Sequence, residues 1–393
     1  MASHQANDRP IIVVGCPRSG TTMLQLMLHA HPRIAVPPEN RFVLPAYHRR
    51  AEFGNLEDAA NRRRLGEWIV GHKGFGDFGL DRAGLVEEIV AAPGTLGSAI
   101  GTVLRAYSAR FGKPRWGDKR PAYLRNLDIV LRLFPDAQVV NIVRDGRDCV
   151  ASLKEMPWLG ESFEAIVGSW ARAVDEGDRW ARRLDASSYH QLRYEDLVTD
   201  PEPHLRALCA FLGEDYDPAM AKPGEQATVA VPAYKTWHSR TRGEVTTERV
   251  QSWQHRLTAE ELALCETALA SRLRSCGYEL SGAGSPGAAA RARYEWATVR
   301  HRLAPARRAA VALGLKLRPE PPVAARLTSR QGASVEAAVP APSAPVTPPP
   351  AAPVSPASIH AESRASRAEA APALPPAQAQ THERAARQAQ PPA

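Results

Sequence analysis

The stretch Ile11-Ile12-Val13-Val14-Gly15-Cys16-Pro17-Arg18-Ser19-Gly20-Thr21-Thr22 decides the fold. A β-branched run breaks into a turn bounded by two glycines, and a helical pattern begins at Thr21, with Leu24, Met27 and Leu28 on one face. The spacing is Gly, four residues, Gly, one residue, Ser or Thr, the frame of a phosphate-binding loop, but Thr21 stands at the lysine position. Such a turn points several backbone N–H groups at one spot, where the dipole of the following helix favours an anion. Arg18 and the hydroxyls of Ser19, Thr21 and Thr22 add donors. The alternative, an ordinary strand-to-helix turn, fits this context less well.

Outward from the loop, short strands are expected at Ile11–Gly15, Arg33–Val36, Gln138–Val143 and Ser188–Arg193. Helical patterns separate them at Thr21–His31, Tyr123–Phe134, Phe163–Leu184 and Pro203–Leu212. Strands alternating with helices imply an α/β fold: a P-loop-like parallel sheet with helices on both faces, ligands binding beyond the carboxyl ends of its strands. None of these strands ends in the acid that holds magnesium in nucleoside triphosphatases; Gln138–Val143 runs into Arg144 instead. The loop therefore reads as built for an anion that magnesium does not bridge.

A second cationic turn follows that strand: Arg144-Asp145-Gly146-Arg147-Asp148-Cys149-Val150-Ala151-Ser152. Arg144 and Ser152 can share a phosphate. Alternatively, Arg144 or Arg147 pairs with Asp145 or Asp148 on a surface turn. Two such turns on two strand ends of one sheet suit one ligand with two separated phosphates.

At this point the chain resembles the sulfotransferases that use 3′-phosphoadenosine 5′-phosphosulfate, above all the branch containing protein-tyrosine sulfotransferases and bacterial relatives. Pro17–Thr22 resembles their 5′-phosphosulfate loop, Arg144–Ser152 their 3′-phosphate motif, and Tyr194-Glu195-Asp196-Leu197 their element beside the adenine. The resemblance covers roughly Pro10 to Leu280. It implies that Arg18, Ser19, Gly20, Thr21, Thr22, Arg144, Ser152 and Tyr194 bind the co-substrate. It also implies Glu39, after His31-Pro32, as catalytic base, with Lys119 and Arg18 facing the transferring group. Two departures stand out. Arg120 replaces the usual Thr or Ser after that lysine, and the Ser-Ile-Gly-Arg-Trp element appears only as Arg249-Val250-Gln251-Ser252-Trp253. His31 competes for the role of base; at the end of the first helix it is expected to pack or to bond to backbone.

Composition limits the rivals. The net charge of +8 sits wholly beyond Ser281, where 14 Lys plus Arg face 6 Asp plus Glu; the first 280 residues hold 36 of each. A neutral body makes no case for a nucleic-acid partner. Five cysteines without a CxxC pair indicate neither a disulfide framework nor a zinc site, and Cys16 and Cys149 read as packing residues. No signal-peptide pattern and no run of membrane-spanning length is read, so a cytoplasmic protein is expected, and tyrosine sulfation of secreted proteins is not. The expected organisation is a sulfotransferase domain at 1–280, a basic linker at 281–332 and a disordered Pro/Ala-rich tail at 333–393. Within the linker, 291–318 reads as one or two short helices broken near Pro305, either solvated or weakly attached to an acidic membrane or partner. The expected activity is metal-free sulfuryl transfer to a hydroxyl of a small-molecule, lipid or glycan acceptor. The competing readings are a Mg-ATP phosphotransferase and a non-catalytic nucleotide-binding scaffold.

Overall fold

A computed structural model describes residues 8–157, 159–226, 243, 245–299 and 323. The expected tail at 333–393 and most of the linker lie outside the described residues. Of the helical stretch expected at 291–318, residues 291–299 are described, and they belong to a helix at 288–299.

Five parallel strands form one sheet: β1 (Ile11–Gly15), β2 (Ile34–Ala35), β3 (Arg115–Lys119), β4 (Gln138–Val143) and β5 (Tyr189–Arg193), in the order β2-β3-β1-β4-β5. Among the described residues up to Leu212 the helices are, in chain order, α1 (Thr21–Ala30), α2 (Val43–His48), α3 (Ala59–Gly71), α4 (Arg82–Ala91), α5 (Leu96–Ala109), α6 (Leu127–Leu133), α7 (Gly146–Lys154), α8 (Phe163–Ala181), α9 (Tyr194–Thr199) and α10 (Pro201–Leu212). A further long helix, Ala259–Ser275, opens with a capping box between Thr258 and Glu261.

Every residue of β1 and β4 is buried, which is why β1 reads as an apolar run rather than an alternating one, while the polar residues of β4, Gln138 and Asn141, are hydrogen-bonded. Ile11, Val13, Val140 and Ile142 pack with Leu24, Met27 and Leu28 of α1 and Leu205, Leu208 and Leu212 of α10. Successive strand residues face opposite sides, so the burial of Ile12, Val14 and Val139 shows that the second face is covered too. There, the Tyr189 hydroxyl donates to Gly177 O of α8 at 3.1 Å. Among the described residues no helix is long and apolar enough to cross a membrane.

The strand β3 is the main feature that the sequence reading missed. Arg115-Trp116-Gly117-Asp118-Lys119 looks like a polar loop, yet all five residues are buried between β1 and β2. Tertiary partners make this tolerable. Arg115 donates to Leu212 O at 2.7 Å, Arg9 O at 3.1 Å, Glu214 Oε1 at 3.2 Å and also Gln138 Oε1. A Cβ on Gly117 would lie 3.0 Å from Ile11 O, so a larger residue there would press on the β1 backbone, which the glycine lets approach closely. A second difference follows β3: the helix expected at Tyr123–Phe134 is a 3-10 turn, Pro121–Asn126, before α6 begins at Leu127. Pro121 opens that turn, and the Tyr123 hydroxyl is tied back to Asp118 Oδ2 at 2.6 Å.

Candidate active site

β1 is the switch point of the sheet, with β3 on one side and β4 on the other, the position where open parallel sheets bind ligands beyond the carboxyl ends of their strands. Each strand leads into one element of the candidate site. β1 leads into the loop 15–20, β2 into Pro37-Pro38-Glu39, β3 ends on Lys119, β4 runs into Arg144, and β5 into Tyr194.

Local conformation shapes the loop. Gly20 caps α1 with φ 98°, and Arg18 takes φ 72°, a left-handed conformation uncommon outside glycine. A Cβ on Gly20 would lie 2.5 Å from Cδ2 of Tyr194, so the loop and the Tyr194 ring fit only with glycine between them. Gly20→Ala is accordingly expected to destabilise the fold by about 1–3 kcal/mol through backbone strain and the ring clash, read as a lower denaturant midpoint.

The two phosphate-like motifs meet. The Arg18 Nε donates to Ser152 Oγ at 3.1 Å, and the Arg144 Nη1 donates to Arg18 O at 3.0 Å. The Arg144 guanidinium lies 4.4 Å over the Tyr194 ring. Burial pushes the Arg18 guanidinium down to about 10, and Arg144, Arg249 and Arg256 add repulsion. Arg18 stays cationic at neutral pH, and an anion among these groups relieves the repulsion. Ser19 Oγ and Arg144 Nε are buried without a hydrogen-bond partner among the described residues. Both observations fit a phosphate-bearing ligand.

Asp145 and Asp148 have structural work. Arg147 pairs with Asp145 at 2.7 Å and Glu266 at 2.6 Å, and it stacks 4.2 Å over Trp253. Asp148 is fully buried and accepts from Gln251 N at 3.0 Å, Ser252 Oγ at 2.9 Å and Trp253 N at 2.9 Å. Burial raises its pKa, and Arg144, 3.8 Å away, acts against that rise. The divergent segment Arg249–Trp253 is therefore pinned onto the second motif, and the Arg249 carbonyl accepts from Arg144. Sequence reading left this docking open because a lone aspartate in a turn carries no sign of a partner a hundred residues away.

On the other flank, the Lys119 ammonium lies 3.0 Å from Glu39 Oε2 and 3.4 Å from Thr22 Oγ1. The Arg120 Nε lies 3.8 Å from Glu39 Oε1. The departure from the usual Thr or Ser thus adds a second cation beside this carboxylate. The neighbouring acid, Asp118, is the penultimate residue of β3, a strand that the sequence reading did not include. It accepts from the Tyr123 hydroxyl at 2.6 Å, Asn40 Nδ2 at 2.7 Å and Lys119 N at 2.9 Å, and burial raises its pKa. Its oxygens serve to fix β3 and the segment bearing Glu39.

His31 sits apart from this cluster. Its Nδ1 accepts from Arg33 N at 3.1 Å, so its Nε2 carries the proton donated to Asp215 O at 2.8 Å. Both ring nitrogens are held by backbone, as expected. Cys16 and Cys149 are buried, and burial with the neighbouring Cys16 pushes the Cys149 thiol well up, which suits packing rather than nucleophilic chemistry.

The chain is similar to known proteins. A family model described as the sulfotransferase family matches residues 10–218. The protein-tyrosine sulfotransferase 1 of Danio rerio is 29% identical over 222 residues, 54% of this chain and 56% of that protein. Nodulation protein NoeE of Sinorhizobium fredii is 26% identical over 306 residues, 71% of this chain and 68% of that protein. The chain spans about half the length of the tyrosine sulfotransferases it matches, 40% and 56% of two of them. Among solved structures, the sulfotransferase domain of a Synechococcus PCC 7002 olefin synthase aligns with a TM-score of 0.49 and 24% identity, over 70% of this chain and 97% of that one.

Proposed function

The chain belongs to the sulfotransferase family, and from that premise we propose that it moves a sulfuryl group from 3′-phosphoadenosine 5′-phosphosulfate to a hydroxyl of a small-molecule, lipid or glycan acceptor. The domain proposed to do this is residues 1–280. In this reading the loop 15–22 and Arg18 hold the 5′-phosphosulfate, Arg144 and Ser152 the 3′-phosphate, and Tyr194 lies beside the nucleoside. The acceptor oxygen bonds to sulfur as the bond from sulfur to the 5′-phosphate oxygen breaks, and the hydroxyl proton passes to Glu39. Lys119 and Arg18 neutralise charge building on the leaving phosphate; one preorganised donor of this kind is worth about 10²–10³ in rate.

The observation that carries the reading is the position of the Lys119 ammonium, in contact with both Glu39 Oε2 at 3.0 Å and Thr22 Oγ1 at 3.4 Å. A proton acceptor and an anion-binding loop thereby share one cation, as transfer from a bound phosphosulfate to a hydroxyl requires. Calorimetric titration with EDTA present separates this from the Mg-ATP alternative. Adenosine 3′,5′-bisphosphate is expected to bind without metal and at least tenfold more tightly than ATP; tight ATP binding that needs Mg²⁺ would reverse the assignment.

A further inference from the structure

Arg120 stands beside the proposed base yet belongs to neither phosphate motif. Its backbone is fixed: the N–H donates to Val13 O of β1 at 3.3 Å, and the carbonyl accepts from Tyr123 N at 3.0 Å. With φ −152° and ψ 124° it is extended, as a residue before proline favours. Along an extended segment neighbouring side chains diverge and alternate ones share a side, which puts Asp118 and Arg120 on one side and Lys119 on the other. The contacts agree. Asp118 Oδ2 accepts from Asn40 Nδ2 at 2.7 Å, and the Arg120 Nε lies 3.8 Å from Oε1 of the adjoining Glu39. Lys119 reaches the same carboxylate at its other oxygen, Oε2, and also touches Thr22 of the phosphate loop. The Arg120 side chain is 9% exposed, so little solvent screens its charge from Glu39. A Thr or Ser at this position has no charge and is too short to span the gap.

We infer that Arg120 is a positioning residue: it holds Glu39 by Oε1, so that Oε2, on the side of the phosphate loop, takes the acceptor proton. The inference rests on the proposed sulfuryl transfer with Glu39 as base. A bound phosphosulfate competes with Glu39 for the Lys119 ammonium, which already touches the loop at Thr22. As Lys119 is drawn toward the donor, Oε2 is released, and Arg120 keeps the carboxylate in place and charged. The acceptor oxygen then gives its proton to Oε2 while its bond to sulfur forms. Arg120 acts through Glu39.

Release of [³⁵S]sulfate from labelled donor to water, the acceptor always present, tests this on the full chain. Water attacks sulfur, its proton passes to Glu39, and the products are sulfate and adenosine 3′,5′-bisphosphate. Arg120→Thr is expected to slow release by about 10- to 100-fold. Calorimetric affinity for adenosine 3′,5′-bisphosphate should stay within about twofold of wild type, which shows an intact fold. Arg120→Lys keeps a charge facing Oε1 and should recover the rate to within about threefold. On a Glu39→Gln chain, Arg120→Thr should change release by less than about twofold, because the group it acts through is gone. Losses that multiply in the double variant would overturn the role of Arg120 while leaving Glu39 as base. So would an Arg120→Thr chain as fast as wild type, an Arg120→Lys chain as slow as Arg120→Thr, or nucleotide affinity lost in step with rate. Wild-type release no faster than that of Glu39→Gln would remove the base itself, and this inference with it.

Discussion

Glu39→Gln is expected to lower turnover by about 10²–10⁴-fold while affinity for adenosine 3′,5′-bisphosphate is unchanged. The substitution keeps the size of the side chain and an oxygen able to accept from Lys119, now 3.0 Å from Oε2. It removes the negative charge that Lys119 and Arg120 face, and with it the capacity to take a proton. Because Glu39 touches Lys119 and Arg120 rather than Arg144 or Ser152, the nucleotide end of the site has no reason to respond. His31→Ala is the matched comparison. Its ring nitrogens bond to Arg33 N and Asp215 O, so the variant is expected to lose some stability but to retain measurable turnover. Transfer of ³⁵S from labelled donor, measured beside calorimetry on the same samples, reads both quantities. An inactive His31→Ala beside an active Glu39→Gln would move the base to the histidine.

The second large effect is expected at Arg144. Arg144→Ala should weaken adenosine 3′,5′-bisphosphate by about 10- to 150-fold, the equivalent of a charged hydrogen bond of about 1.5–3 kcal/mol. Adenosine 5′-monophosphate, which lacks the second phosphate, should be affected much less. The difference between the two ligands carries the weight, because the alanine also frees the Arg18 and Arg249 carbonyls that Arg144 now holds. A general loosening would weaken both nucleotides alike. Arg144→Lys keeps the charge but not the planar fork and should fall between the two. Equal losses for mono- and bisphosphate would remove Arg144 from the 3′-phosphate role.

Some of this molecule is legible in one dimension and some is not. β1, its glycine-bounded loop and α1 are adjacent in sequence, and their chemistry is local: β-branched residues favour the strand, glycine permits the turn, and N–H groups gather at the helix start. The same holds for β4 with Arg144 and β5 with Tyr194. These segments, with the motif order 18, 39, 119, 144, 194, were enough to indicate a parallel α/β sheet and a two-phosphate ligand. Departures such as Arg120 and Arg249–Trp253 were visible as departures, but their consequences were not.

What the tertiary structure decided is how charged residues become tolerable inside. Arg115 and Asp118 argue against a strand until Gln138, Leu212, Asn40 and Tyr123 arrive to satisfy them, and only then can β3 lie between β1 and β2. That placement carries Lys119 to Glu39, eighty residues away in sequence, and Asp148 likewise draws in Gln251, Ser252 and Trp253. The sequence determined which groups were able to bind phosphate, because that capacity resides in each residue and its immediate neighbours. Which cation faces which carboxylate depended on desolvation and on partners that only the folded chain brings within hydrogen-bond reach.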